Sequence, residues 1–206
     1  MPNSRADSQD TRRRYTIIET ALNRLGYAPS FTNEPGERAL LSLKNGMYDG
    51  DARRVEGFTQ VYPEGLRIEP HLSTVRYIAV SHSAEIRPAG WAELEHFRIA
   101  YVHGVKAIDL ATAHAARREL PKTHDACLGM VARRRVDVCI LNAPQDYQPP
   151  AELSGTDLYA TTIAQMKLYM WLAPSHRVLA ERLRQVLREM DRNGELQRIS
   201  GPGRLP

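Results

Sequence analysis

The sequence predicts an α/β protein of two lobes, the first built from both chain ends and the second inserted between them. Three observations carry this. Residues 97–141 alternate strand-like and helix-like patterns, which implies parallel strand pairing. Extended segments near 74–81 and 158–163 flank that unit, as two crossover strands would. Amphipathic helical patterns lie towards the two ends, at Tyr15–Leu25 and His176–Asn193. The expected division is a polar, disordered leader over 1–14, lobe one over 15–77 and 162–206, and lobe two over 78–161.

Each element follows from local pattern. Ile17, Ile18, Ala21, Leu22 and Leu25 share one helical face, and Gly26 ends it. A short strand is expected over Tyr27–Asn33, then a helix from about Gly36 to Asn45, with Ala39, Leu40 and Leu43 on one face. Gly46 stands where a left-handed cap belongs. The acidic turn Asp49-Gly50-Asp51 hands the chain to Arg53 and Arg54, where a strand should end. Residues 59–73 read as irregular because of Pro63, Gly65 and Pro70. Val75–Ser81 reads as a strand, Pro88-Ala89-Gly90 as a break and Trp91–His96 as a short helix.

The middle unit is the clearest. Phe97–Val102 is a strand, His103-Gly104 a turn, and Val105–Arg118 a helix that Pro121 breaks. Thr123–Arg134 is a second helix, interrupted by Gly129, and Val136–Leu141 a buried strand. Gln148-Pro149-Pro150 marks a loop. Leu158–Ile163 and Lys167–Ala173 are expected as separate extended segments, with Pro174 stopping the second. In the last long helix Val178, Leu179, Leu183, Val186, Leu187 and Met190 form one stripe, Gly194 caps it, and Leu196–Ile199 adds a turn.

At 206 residues the chain has room for one domain or two small lobes, and 42% apolar with 25% charged residues is ordinary globular composition. The net charge of +4 comes with 28 cationic residues, nearly all arginine. Arg12-Arg13-Arg14 and Arg133-Arg134-Arg135 are short and lack interleaved aromatics, so nucleic acid is not the expected partner. No window is long and apolar enough for a membrane span, and no secretory signal is visible. Seven histidines are scattered without a metal-binding spacing, and neither GxSxG nor a phosphate-binding loop occurs. No cofactor, metal or catalytic residue is therefore expected. Cys127 and Cys139 read as two unpaired buried thiols, with a disulfide between them the alternative in an oxidising compartment.

The stretch Pro35–Phe58, PGERALLSLKNGMYDGDARRVEGF, resembles the PxeR-x-L…G…DGe-xx-R segment of bacterial extracellular solute-binding proteins of family 3, the receptors of ABC importers. Trp91–Leu94 followed by FRIAYVHG is similar to that family's entry into lobe two. RRRVDVCILN resembles its GrvDaxxxd strand. LYMWLAPSHRVLAERLRQVLREMDRNGELQRI resembles its closing helix. The likeness covers roughly residues 15–200. Members open with a strand before the first helix, and here the polar leader supplies none; either the chain is truncated, another chain fills the gap, or this lobe is rebuilt.

The resemblance implies a type II periplasmic-binding fold, a non-enzymatic receptor for a small anionic or zwitterionic, amino-acid-like metabolite, an ABC permease as partner and a periplasmic location. The chain would be a monomer, or a dimer if the missing strand comes in trans. A sensory, regulatory or degenerate relative, and a cyclic-acid dehydratase on the same scaffold, stand as alternatives. Three clusters would line the cleft. Asp51, Arg53 and Arg54 offer a guanidinium for a carboxylate. Gly104, Val105 and Lys106 sit at a helix start, where backbone N–H groups favour an anion; the family usually places a hydroxyl residue where Val105 stands. Asn142 occupies the position of the carboxylate that meets a ligand's α-ammonium. Thr74 and Tyr77 lie where the first crossover strand passes.

Overall fold

In a computed structural model, residues 9–144, 158–201 and 204 are described. The Gln148-Pro149-Pro150 loop and the first eight residues of the expected leader lie outside them. The chain divides into two units, 1–74 with 166–206, and 75–165. It passes between them along two strands, Leu66–Ser81 and Tyr159–Leu172.

The first unit opens with helix α1, Gln9–Asn23, which begins ahead of the Tyr15 start read from the apolar stripe. Its extra turn is polar yet buried: Asp10, Thr11 and Arg14 all lie inside. Helix α2, Gly36–Lys44, follows an irregular stretch in which no strand forms at 27–33. Phe31 there stacks on Tyr15 with ring centroids 4.1 Å apart. Gly46, at φ +71°, closes α2: its own N–H reaches Leu43 O, and Met47 N reaches Ser42 O. That pair of bonds satisfies carbonyls the helix end leaves open, and only glycine enters the left-handed region without cost.

Strand β1, Gly50–Val55, then pairs antiparallel with β6, Tyr159–Leu172. β2, Leu66–Ser81, lies next to β6 in the order β1-β6-β2. Residues 66–73 are strand, not the irregular connection expected, and the two separate segments expected before Pro174 are one strand. Two helices follow, α5 Arg177–Arg192 and α6 Glu195–Ser200, with left-handed Gly194 between them.

The core of this unit joins Ile17, Ile18, Ala21 and Leu22 of α1 to Ile68 and Leu72 of β2 and to Leu183, Leu187 and Met190 of α5. Each of the larger side chains, alanine aside, contributes about 1.5–3 kcal/mol when buried. Val178 does not belong to the expected stripe; it is 76% exposed. A second cluster sets Trp171 of β6 against Phe58, Tyr62 and Leu43. Gly65 is pressed there against the Tyr62 ring, where an added Cβ would lie 2.4 Å from Cδ1.

The second unit orders its strands β2-β5-β3-β4, where β3 is Arg98–Tyr101, β4 Arg117–Glu119 and β5 Val138–Pro144. β3 pairs parallel with both β4 and β5, as the alternation of strands and helices implied. β2 and β5 are antiparallel, which it did not imply. The helix expected over Val105–Arg118 is only α3, Lys106–Ala111. Thr112 ends it, its hydroxyl donating to Ile108 O, and the chain returns to the sheet as β4. Helix α4, His124–Ala132, is capped by Thr123, whose side chain accepts from Ala126 N at 3.1 Å.

Cys127 of α4 and Cys139 of β5 form a disulfide, so the two unpaired thiols of the sequence reading are corrected. Both cysteines are fully buried in a core with Ile78, Val80, Ala100, Val131 and Leu141. Helix and strand bring together two positions whose spacing of 12 carries no pairing signal.

Two outcomes follow from these elements. Arg134 holds φ +56° at the end of α4, with Arg134 N bound to Val131 O and Arg135 N to Met130 O. Arg134→Gly keeps both bonds and removes the Cβ penalty, so it should stabilise by about 1 kcal/mol, read as a higher melting temperature. Alkylation of the unfolded protein without reductant should find no free thiol, and reduction should lower stability by about 2–3 kcal/mol, as expected for closing a short loop. Quantitative labelling of both cysteines would overturn the pairing.

Candidate ligand-binding residues

Asp51, Arg53 and Arg54 lie within β1 rather than beyond its end. The register against β6 shifts between Asp51 and Arg54, so Ala52 and Arg53 occupy a bulge. The Asp51 carboxylate folds back over it, accepting from Arg53 N at 2.9 Å and from Arg54 Nε at 2.7 Å. Arg54 Nη2 donates to Gly36 O at 2.8 Å, and the guanidinium sits 4.8 Å from the centroid of the Phe58 ring. These bonds tie β1 to the start of α2 and to the aromatic cluster. Arg54 and Asp51 thus hold the unit together. Arg53 stands half-buried at the bulge.

Thr74 and Tyr77 both lie on β2 and are buried. In the second unit Tyr77 stands directly opposite Asn142 across the β2–β5 ladder. Alternation along a strand sorts this sheet by face. Ile78, Val80, Cys139 and Leu141 share the core that contains the α4 residues Cys127 and Val131. Tyr77 and Asn142, one position out of phase, take the other face. The Tyr77 ring meets Trp91 edge-on, with centroids 5.0 Å apart and planes at 62°. That Tyr77 meets Trp91 on one side and faces Asn142 across the ladder depends on a sheet register that sequence spacing does not display.

The third group is less favourable than expected. Gly104 takes φ +84°, and His103 N donates to Pro121 O at 3.1 Å, so the turn is firmly placed. α3 is only six residues long, however, which weakens the dipole that would favour an anion. Val105 gives its start no side-chain cap. Lys106 leans towards Asp109, Nζ to Oδ2 at 3.7 Å. Asp109 also accepts from the Tyr101 hydroxyl at 2.5 Å. Burial, then that bond to a carboxylate, raises the Tyr101 pKa, so the phenol stays protonated and donating. Thus two groups are drawn together within single units, Asp51 with Arg53 and Arg54, and Tyr77 with Asn142.

No family model matches the chain. An uncharacterized protein of Shewanella oneidensis is 23% identical over 190 residues, 88% of this chain and 72% of that protein. Among solved structures, a mutant of the arginine-binding protein of T. maritima superposes with a TM-score of 0.68 at 15% identity, covering 91% of this chain and 82% of that one. A protein solved bound to L-arginine gives 0.66 at 16% identity, over 93% of this chain and 80% of its own. An ancestral amino-acid-binding protein, a precursor of cyclohexadienyl dehydratase, gives 0.67 at 11% identity, over 93% and 84%. The fold is that of two-lobed amino-acid-binding proteins: α/β, with one lobe from both chain ends and the other inserted.

One bond near this sheet sets a pH dependence. Asp137, just before β5, accepts from Arg98 N at 2.8 Å, Nε at 3.1 Å and Nη2 at 2.7 Å, and its own N–H reaches Arg98 O. The Arg98 guanidinium holds the Asp137 carboxyl below the usual 3.8. A depressed carboxylate pKa stabilises the folded form above the unfolded value, and the gain is lost as pH falls through the folded one. Melting temperatures should therefore drop more steeply with acid below about pH 3.8 in the native protein than in Asp137→Asn. Parallel acid profiles would show that Asp137 plays no part.

Proposed function

We propose that the chain is a receptor for a small anionic or zwitterionic, amino-acid-like metabolite, serving an ABC importer in the periplasm. The observation that carries this reading is the superposition of nearly the whole chain on structures of arginine-bound and ancestral amino-acid-binding proteins. The buried Cys127–Cys139 disulfide supports the location, since such bonds persist in oxidising compartments. In the first group a guanidinium, Arg53 foremost, would grip the ligand's carboxylate in a planar fork.

Asn142 narrows the ligand. A carboxamide oxygen accepts a hydrogen bond from an amine but brings no charge to meet an ammonium group. The reading therefore favours a metabolite whose anionic group carries the recognition, such as a hydroxy acid, a keto acid or an amide-bearing acid, over an ordinary α-amino acid. Tyr77, opposite Asn142 on the ladder, and Trp91, packed on Tyr77, would form the apolar wall for its carbon skeleton.

Thermal-shift screening against amino acids, hydroxy acids, keto acids and dicarboxylates tests the proposal. At least one acid should raise the melting temperature in a saturable way. A folded protein that no member of the panel stabilises would sink the receptor reading. Asn142→Asp should strengthen binding of α-amino acids roughly tenfold, because a charged acceptor adds on the order of 1.4 kcal/mol over a neutral one; calorimetric titration reads this directly.

A further inference from the structure

The first turn of α1 holds a buried polar cluster that neither candidate group uses. Arg14 is 2% exposed, Asp10 5% and Ser73 1%. Arg14 Nη1 donates to the Asp10 carboxylate one turn back and reaches Ser73 Oγ on β2 at 3.3 Å. Nη2 donates to Thr11 Oγ1 at 3.1 Å. Nε is buried and finds no acceptor among the described residues. Ser73 adjoins Thr74, a residue expected to face ligand.

Stability alone does not account for this arrangement. A buried ion pair is often no more stabilising than apolar side chains of the same volume. A buried donor left without an acceptor costs about 1–3 kcal/mol besides. Nε and Nη2 share one edge of the guanidinium, the edge that takes a carboxylate side-on with two parallel bonds. On that edge the described residues offer the neutral Thr11 hydroxyl to Nη2 and nothing to Nε.

We propose that Arg14 is an anion anchor, and that Asp10, bound at Nη1, balances its buried charge until a ligand carboxylate binds at the other edge. Incoming carboxylate takes the Nε and Nη2 edge while Asp10 is released. One carboxylate replaces another, so the buried charge stays balanced and the penalty of an unpaired guanidinium is never met. Asp10 is the partner free to leave, because it lies in the first turn of α1, where helices open most easily. The inference rests on the receptor reading for the identity of the anion, but not for its existence.

Formate serves as the probe. Wild type and Asp10→Asn are melted in formate and in chloride at matched ionic strength. The Arg14 Nε–H signal, assigned with Arg14→Lys, is followed by NMR. Asp10→Asn should be less stable in chloride and recover in formate, half-saturating at a concentration about tenfold below that of wild type, since its competitor is gone. The Nε–H signal should move downfield with formate in both proteins, and the recovery should vanish in the Asp10→Asn, Arg14→Lys double variant. A purely structural pair predicts lost stability with no recovery, and that result overturns the proposal. If Asp10→Asn does not fold, the wild-type titration decides alone: an Nε–H signal unmoved at saturating formate overturns it. A metabolite that binds wild type and Asp10→Asn equally leaves the receptor reading standing and removes this one. Formate recovery without any metabolite binding does the reverse.

Discussion

A single strand of 16 residues, β2, is the constraint on which both units depend. Its first half contributes Ile68 and Leu72 to the core under α1 and α5. Its second half contributes Ile78 and Val80 to the core closed by α4 and the disulfide. The strand must satisfy alternation along its whole length between two neighbours, β6 and β5, with β5 paired to Val75–Ser81. A one-residue slip in either half would turn a whole apolar set to the wrong face. The same phase fixes the candidate ligand residues: putting Ile78 and Val80 inward leaves Tyr77 on the face it shares with Asn142.

Much of this was legible in the sequence where one local signal sufficed. Gly46 and Gly194 mark helix ends because each end needs a left-handed residue, and the α5 stripe of Leu183, Leu187 and Met190 needs only a period of 3.6. Reading failed where two signals conflicted. Residues 66–73 alternate Leu66, Ile68, Pro70 and Leu72 with Arg67, Glu69, His71 and Ser73, a strand pattern hidden by the proline in it. The segment after α3 is rich in alanine and charge and reads as helix, yet Arg117–Glu119 is held as β4 by its parallel ladder with β3. Tertiary pairing decided both cases against local preference.

The candidate site divides similarly. Residue types were legible: a carboxylate beside two arginines, a glycine turn and an amide ending a strand. Their assignments were not. Whether Asp51 folds onto Arg54 or faces outward depends on a bulge, and a bulge is a property of two strands together. The Asp10 and Arg14 pair does show in sequence as a spacing of four on a helix. It was passed over because a polar run ahead of an apolar stripe reads as solvated leader, and only the fold shows Ser73 waiting on β2.

The arginine excess has a use at the two outermost strands. Among the described residues these are β1, which carries the half-buried Arg53 and Arg54, and β4, which is Arg117, Arg118 and Glu119, charged throughout and exposed. A strand with one unpaired side is a template on which another chain can add, and bulky charge along it is how natural sheets discourage that. The bulge at Ala52 and Arg53 breaks the straight run of amide groups on β1 in the same sense. Part of what composition registers as a mild positive charge thus lies along the edges of the sheet, where charge disfavours the addition of a further strand.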